Sequence, residues 1–149
     1  MKSVDNILNA ILSNFYHLTP WLLRLGLGIS FIFHGLNKFP LPPQKLIDYF
    51  GFSAELASFV AISELGAGIL LILGGFLKGH IGNLVTRFAA GIIVIIMTCA
   101  FTLAHSDWFI TPKLFMSEQI FLMIISLYFF ISLFNILCLL LNLAAPISY

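Results

Sequence analysis

Charge is what this sequence has least of. Asp, Glu, Lys and Arg make up 9% of its 149 residues, against 60% hydrophobic residues. A soluble domain carries about 25% charged residues to keep its surface in water, so most of this chain must be solvated by lipid. The net charge of +1 leaves no basic stripe, which excludes electrostatic nucleic-acid binding. Cysteine is nearly absent too. Cys99 and Cys138 stand alone in separate apolar runs, so there is neither a dithiol redox motif nor a zinc knuckle. Their depths in the expected helices differ by more than two turns, which excludes a disulfide between them. Disulfide-forming, quinone-linked membrane enzymes need paired cysteines and are disfavoured on the same ground.

What the sequence has in abundance is long apolar runs. Four of them, residues 20–38, 56–77, 82–104 and 117–144, are each long enough to cross a hydrocarbon layer of about 30 Å at about 1.5 Å per residue. The expected fold is therefore an all-α membrane protein, a four-transmembrane-helix bundle forming a single domain over residues 20–149. The loop over residues 39–55 carries Pro40, Pro42 and Pro43, and then Leu46, Ile47 and Phe50, which suggest a short surface helix stopped by Gly51. Residues 1–19 read as an amphipathic interfacial helix. Val4, Ile7, Leu8, Ile11, Leu12, Phe15 and Leu18 share one face, and Asp5, Asn6, Asn9, Ser13 and Asn14 share the other. Thr19-Pro20 supplies a cap and a first-turn proline for the first span. Lys2, Lys78, Arg24 and Arg87 on one side, against Lys38, Lys45 and Lys113 on the other, lean towards cytoplasmic termini.

Arg24, Glu64 and Arg87 interrupt the apolar runs, each at a cost of about 2.5–3.5 kcal/mol at mid-bilayer. Their spacing is orderly. Arg24, Gly28, Phe31, Gly35 and Lys38 form one helical stripe. Ala57, Ala61, Glu64, Gly68, Leu71 and Gly75 form a second, and Arg87, Gly91, Val94, Thr98, Phe101 and His105 a third. Small residues beside the charges let helices approach closely and hide the charges from lipid. Depth then sorts the groups. His34, Lys38 or Thr98 is expected near Glu64, with His105 on the rim of the same outer cavity. Arg24 and Arg87 form a separate basic zone towards the inner face, within snorkelling reach of lipid phosphates. A carboxyl and an imidazole in such a cavity could exchange protons with a lipophilic quinone head group. His34 and Glu64 are thus the candidate catalytic pair, and Lys38, Thr98 and His105 the candidate quinone-binding groups. A structural role for Glu64, fixing helix register, is the alternative. His34, Glu64 and His105 have no metal-ligand spacing, so no metal site is expected.

These residues resemble a known family. Trp21-Leu22-Leu23-Arg24, Gly28, Phe31, His34-Gly35 and Lys38 resemble the first helix of the DoxX family, and Phe50-Gly51 its segment before the second helix. Glu64-Leu65-Gly66-Ala67-Gly68, followed by Leu71, Leu73-Gly74 and Phe76, is similar to its acidic, glycine-rich second helix. Arg87 to Met97, Ala100, His105 ahead of Trp108-Phe109, and Glu118 continue the resemblance over residues 20–130. It implies a small four-helix protein of the bacterial cytoplasmic (inner) membrane. The family's namesake is the small subunit of a thiosulfate:quinone oxidoreductase, and other members are linked to redox or oxidative-stress complexes. Arg24, His34, Lys38 and Glu64 are the matched polar positions. Phe134 to Tyr149 lacks the glycine-rich turn and Ser-Leu-Asp-like close of many relatives.

Three functions compete on this basis. The first is a subunit of a quinone-linked oxidoreductase complex that takes electrons from a protein partner, with quinone its one expected cofactor and nothing bound covalently. The second is a non-catalytic anchor or assembly subunit for a soluble partner enzyme. The third, a small permease, trails because neither repeats nor broken helices are evident. A chain this small is expected to work in a complex, with itself or with others.

Overall fold

The computed structural model describes residues 6, 9–10 and 12–144. Among them the chain forms six α-helices and no strand: α1 (Thr19–Leu36), α2 (Gln44–Phe50), α3 (Ala54–Phe76), α4 (Gly79–Ala104), α5 (Lys113–Met116) and α6 (Glu118–Ala144). Two 3-10 helices, Ser13–Leu18 and Ser106–Ile110, lead into α1 and follow α4. Of the amphipathic segment expected over residues 1–19, residues 1–5, 7–8 and 11 lie outside the described residues, as does the side chain of Cys138. Thr19 is not a cap. Leu18 already has helical dihedrals, so the chain runs from the 3-10 turn straight into α1, with Pro20 in its first turn.

The expectation of four spanning helices is corrected. Among the described residues only α3 and α4 are long and apolar enough to cross a membrane, with a mean hydropathy of 2.2 each. Counting apolar residues overestimates α1, which stops at Leu36 and carries Pro20, Arg24 and His34 within its 18 residues. In α6 the described apolar stretch, Glu118–Ser132, is too short to qualify.

The local punctuation has physical causes. Ser53 is extended, and its Oγ accepts the Leu56 N–H at 3.3 Å, capping α3. Gly51 ends α2 and Gly79 turns the chain from α3 into α4. Both have a left-handed φ, 67° and 66°, that a Cβ would strain.

The helices pack in chain order, α1 on α3, α3 on α4 and α4 on α6, and α1 meets α6 only lightly. Gly28 faces Gly68 and Ile72, and Gly35 faces Leu65, so α1 and α3 are antiparallel and in backbone contact. Gly74 faces Gly82 and Thr86 in the same way across α3 and α4. Between the helices lie Leu27, Phe31, Leu71, Ile93, Met97 and Phe129. The outer surface is oily: Leu22 is 69% exposed, Phe59 67% and Ile95 65%. Apolar exposure on that scale marks a surface made for acyl chains rather than water. One end of the bundle carries α2, the end of α1 and the start of α6. The other carries Trp21, Phe76 and the Gly79 turn.

Candidate functional site

At the α2 end, the turn after α1 delivers Lys38 and α3 delivers Glu64. Glu64 is one of the few buried polar residues, 5% exposed, on the same face of α3 as Ala57, Ala61, Gly68 and Leu71. The Lys38 ammonium donates to Glu64 Oε2, and its own side chain is largely covered. Gly35, three residues before Lys38, makes the pairing possible by letting α1 lie on the α3 backbone at Leu65. An ion pair so placed needs excellent geometry, because desolvating two charges offsets most of their attraction.

His34 has a different partner from Glu64. Its Nε2 lies 3.8 Å from Glu118 Oε1 at the start of α6, and both side chains are exposed. His105 ends α4, where its N–H still reaches Phe101 O at 3.2 Å. The following 3-10 helix folds back, so that Trp108 stacks on the imidazole at 3.7 Å. His105 also borders an open groove of about 680 Å³, walled by Lys45, Asp48, Tyr49 and Phe50 of α2, by Ala104, and by Gln119 of α6. Gln119 Oε1 is buried without a hydrogen-bond partner, the one such side-chain atom among the described residues. Buried acceptors are rarely left bare.

Thr98 is turned away from this end's interior. It is exposed, and its hydroxyl donates to Val94 O of its own helix at 2.8 Å. The buried row of α4 is Gly82, Thr86, Ala90, Ile93, Met97 and Phe101, about one residue round from the expected stripe of Arg87, Gly91, Val94, Thr98, Phe101 and His105. That rotation brings in a residue the polar stripe passes over. In the other half of the bundle Arg24 Nη1 donates to Leu71 O and to Thr86 Oγ1, both at 2.7 Å, and the guanidinium lies 5.0 Å from the Phe129 ring centre. Arg24 therefore points into the bundle rather than out to the headgroups. Arg87 is half-buried, one residue beyond Thr86. The small-residue row Gly82, Thr86, Ala90, at steps of four, is the signal that would have singled out Thr86. Among the described residues no three metal-ligating side chains come together.

The Arg24–Thr86 bond has a measurable consequence. A hydrogen bond to a charged group contributes about 1.5–3 kcal/mol, so Thr86→Val is expected to destabilise the protein by about 2 kcal/mol in denaturant titrations in detergent. Thr98→Val, which removes only a bond within its own turn, should change stability by less than about 0.5 kcal/mol.

The DoxX family model matches residues 19–106, from α1 to the end of α4. The chain belongs to the DoxX family. No match was found among curated proteins or among solved structures. Family membership and the two apolar helices make it a multi-pass protein embedded in the inner membrane. Arg24, His34, Lys38, Glu64, Thr86 and His105 all lie in the DoxX segment, whereas Glu118, Gln119 and Phe129 lie beyond it.

Proposed function

We propose that this DoxX-family chain is the membrane subunit of a redox complex and that a quinone head group docks in the groove at its α2 end. The groove supports this reading by size and chemistry, since small-molecule sites are mostly apolar clefts of about 300–1,000 Å³ with a few placed polar groups. The observation that carries it is Gln119, a residue of the groove wall whose buried Oε1 has no hydrogen-bond partner. Swung into the groove, its amide can accept from a quinol hydroxyl or donate to a quinone carbonyl. His105 and Lys45 are further donors at the wall, and Tyr49 and Phe50 offer ring faces. Reduction needs protons as well as electrons. The electrons come from a redox centre of a partner protein. The Glu118–His34 pair at the exposed rim and the Lys38–Glu64 pair below it can pass the protons. In this reading the termini face the cytoplasm.

Trp108 lies on His105 and reports occupancy. In a Trp21→Phe background, a short-chain ubiquinone analogue is expected to quench Trp108 fluorescence to saturation. Combining His105→Ala with Gln119→Leu should raise the half-saturating concentration at least about tenfold, the loss of one or two hydrogen bonds. Quenching that rises linearly without saturating, as simple partition into the micelle would give, overturns the reading. Quinone that copurifies should be lost in Glu64→Gln and His34→Ala. Unimpaired recruitment of a soluble partner by both variants, with no quinone in any form of the protein, would instead support the anchor.

A further inference from the structure

His34 and Glu118 meet where two helix ends of opposite polarity come together. His34 is in the last turn of α1 and Glu118 in the first turn of α6. The C-terminal end of a helix favours a cation and the N-terminal end an anion, so each helix dipole supports the charged form of the residue it carries. The imidazole Nε2 lies 3.8 Å from Glu118 Oε1, an ion pair whenever the ring is protonated. Along their length α1 and α6 meet only lightly. Arg24 over the Phe129 ring ties them at one end, and His34 on Glu118 ties them at the other.

The charges on neighbouring elements are already engaged. Besides α6, the elements packed on α1 are α3 and the 3-10 helix Ser13–Leu18, which lies at the far end of α1. On α3, Glu64 is held by Lys38 and Glu55 bonds back to Ser53. Lys38, one turn beyond His34, is a like charge that Glu64 neutralises. The groove adds Lys45 and Asp48 of α2, together with His105. Neither His34 nor Glu118 lines that groove, but Gln119 does. Gln119 follows Glu118 directly, so whatever seats the start of α6 also sets the Gln119 backbone at the groove wall.

We infer that the His34–Glu118 pair is a positioning latch for this wall. With the imidazole protonated, it seats the start of α6 on α1 and holds Gln119 where a quinone head group meets it. With the imidazole neutral, the seat loosens. The latch acts on binding only if the groove is the docking site proposed above. Histidine changes charge between about pH 5 and 8, so the groove should hold its ligand more firmly at the acid end, where the protons that reduction needs are plentiful. The coupling is reciprocal by linkage, and binding must draw protons onto the pair. Both side chains are exposed, which limits the change in affinity to about fivefold.

The test is Trp108 quenching by the short-chain ubiquinone analogue in the full-length Trp21→Phe protein, at about pH 5.5 and about pH 8. The half-saturating concentration is read rather than the amplitude, because a change of charge on His105 would alter the emission of the Trp108 ring stacked on it. Wild type should need about three to five times more analogue at the higher pH. Glu118→Gln and His34→Gln should bind equally weakly at both values. His34→Lys, a permanent cation, should bind equally tightly at both. All three replace exposed side chains and should fold as wild type does. Calorimetry of wild type in buffers of different ionisation enthalpy should show net proton uptake on binding at about pH 7, reduced in His34→Gln. Saturable binding with one half-saturating concentration at both pH values overturns the latch and leaves the docking reading standing. A pH dependence that survives in His34→Gln belongs to His105 and overturns the latch as well. Quenching that saturates at neither pH overturns the docking reading itself, and the latch with it.

Discussion

Replacing Glu64 by Gln is expected to cost about 3 kcal/mol of stability in detergent-based unfolding, at the low end of the range for breaking a buried ion pair. The reason is the Lys38 ammonium left behind. Glu64 is 5% exposed and the Lys38 side chain 22%, so little water can take over from the lost carboxylate. The low end applies because a lysine with some exposure can bend its stem towards the bundle end. Removing both charges should restore most of the loss, with Glu64→Gln combined with Lys38→Met within about 1 kcal/mol of wild type. A double variant as unstable as the single one would show that the pair is not the source of the effect.

The second large effect should come from a single methyl group. Gly35→Ala would put a Cβ 2.6 Å from Leu65 N and 2.8 Å from Leu65 Cα. These are backbone atoms of α3, which cannot rotate aside as a side chain could. The helices must separate, at about 3 kcal/mol, the upper part of the usual cost of overpacking. The shift would also draw Lys38 away from Glu64, so Gly35→Ala should abolish the benefit of the ion pair. Gly26 provides the internal control. Nothing lies within 4 Å of a Cβ there, and Gly26→Ala should stabilise α1 by up to about 1 kcal/mol through helix propensity alone. Paired thermal melts of the two variants check both signs at once.

Some of the interior was legible from spacing. Gly28, Phe31 and Gly35 on α1 are buried, as are Ala57, Ala61, Glu64, Gly68 and Leu71 on α3. On these helices the small residues and the charge share one face, so the sequence pattern points inward without ambiguity. On α4 the same reasoning selects a face about one residue off. Thr98 looks like an interior residue because it is polar, yet its hydroxyl is satisfied by Val94 O within its own helix, so facing outward costs it little. Thr86 looks unremarkable and is fully buried, because a cation from another helix needs its oxygen. The count of spanning helices fails for a related reason. Pro20, Arg24 and His34 dilute the apolar character of α1, and the helix ends two residues before Lys38.

Composition alone dictates the oily environment, since 9% charged residues cannot clothe a water-soluble surface. Local chemistry dictates the breaks at Gly51 and Ser53, which depend on one residue's backbone or one hydroxyl. The partner of each charged group is a different kind of quantity. Glu64 takes Lys38 while His34 takes Glu118, and Arg24 takes Thr86 and Phe129, because the axial offset and rotation of whole helices bring those atoms together. That offset is set where glycine lets backbone meet backbone, Gly35 on Leu65 and Gly28 on Gly68. Periodicity reports the direction a side chain takes around its own helix, and close packing between helices decides what it meets there.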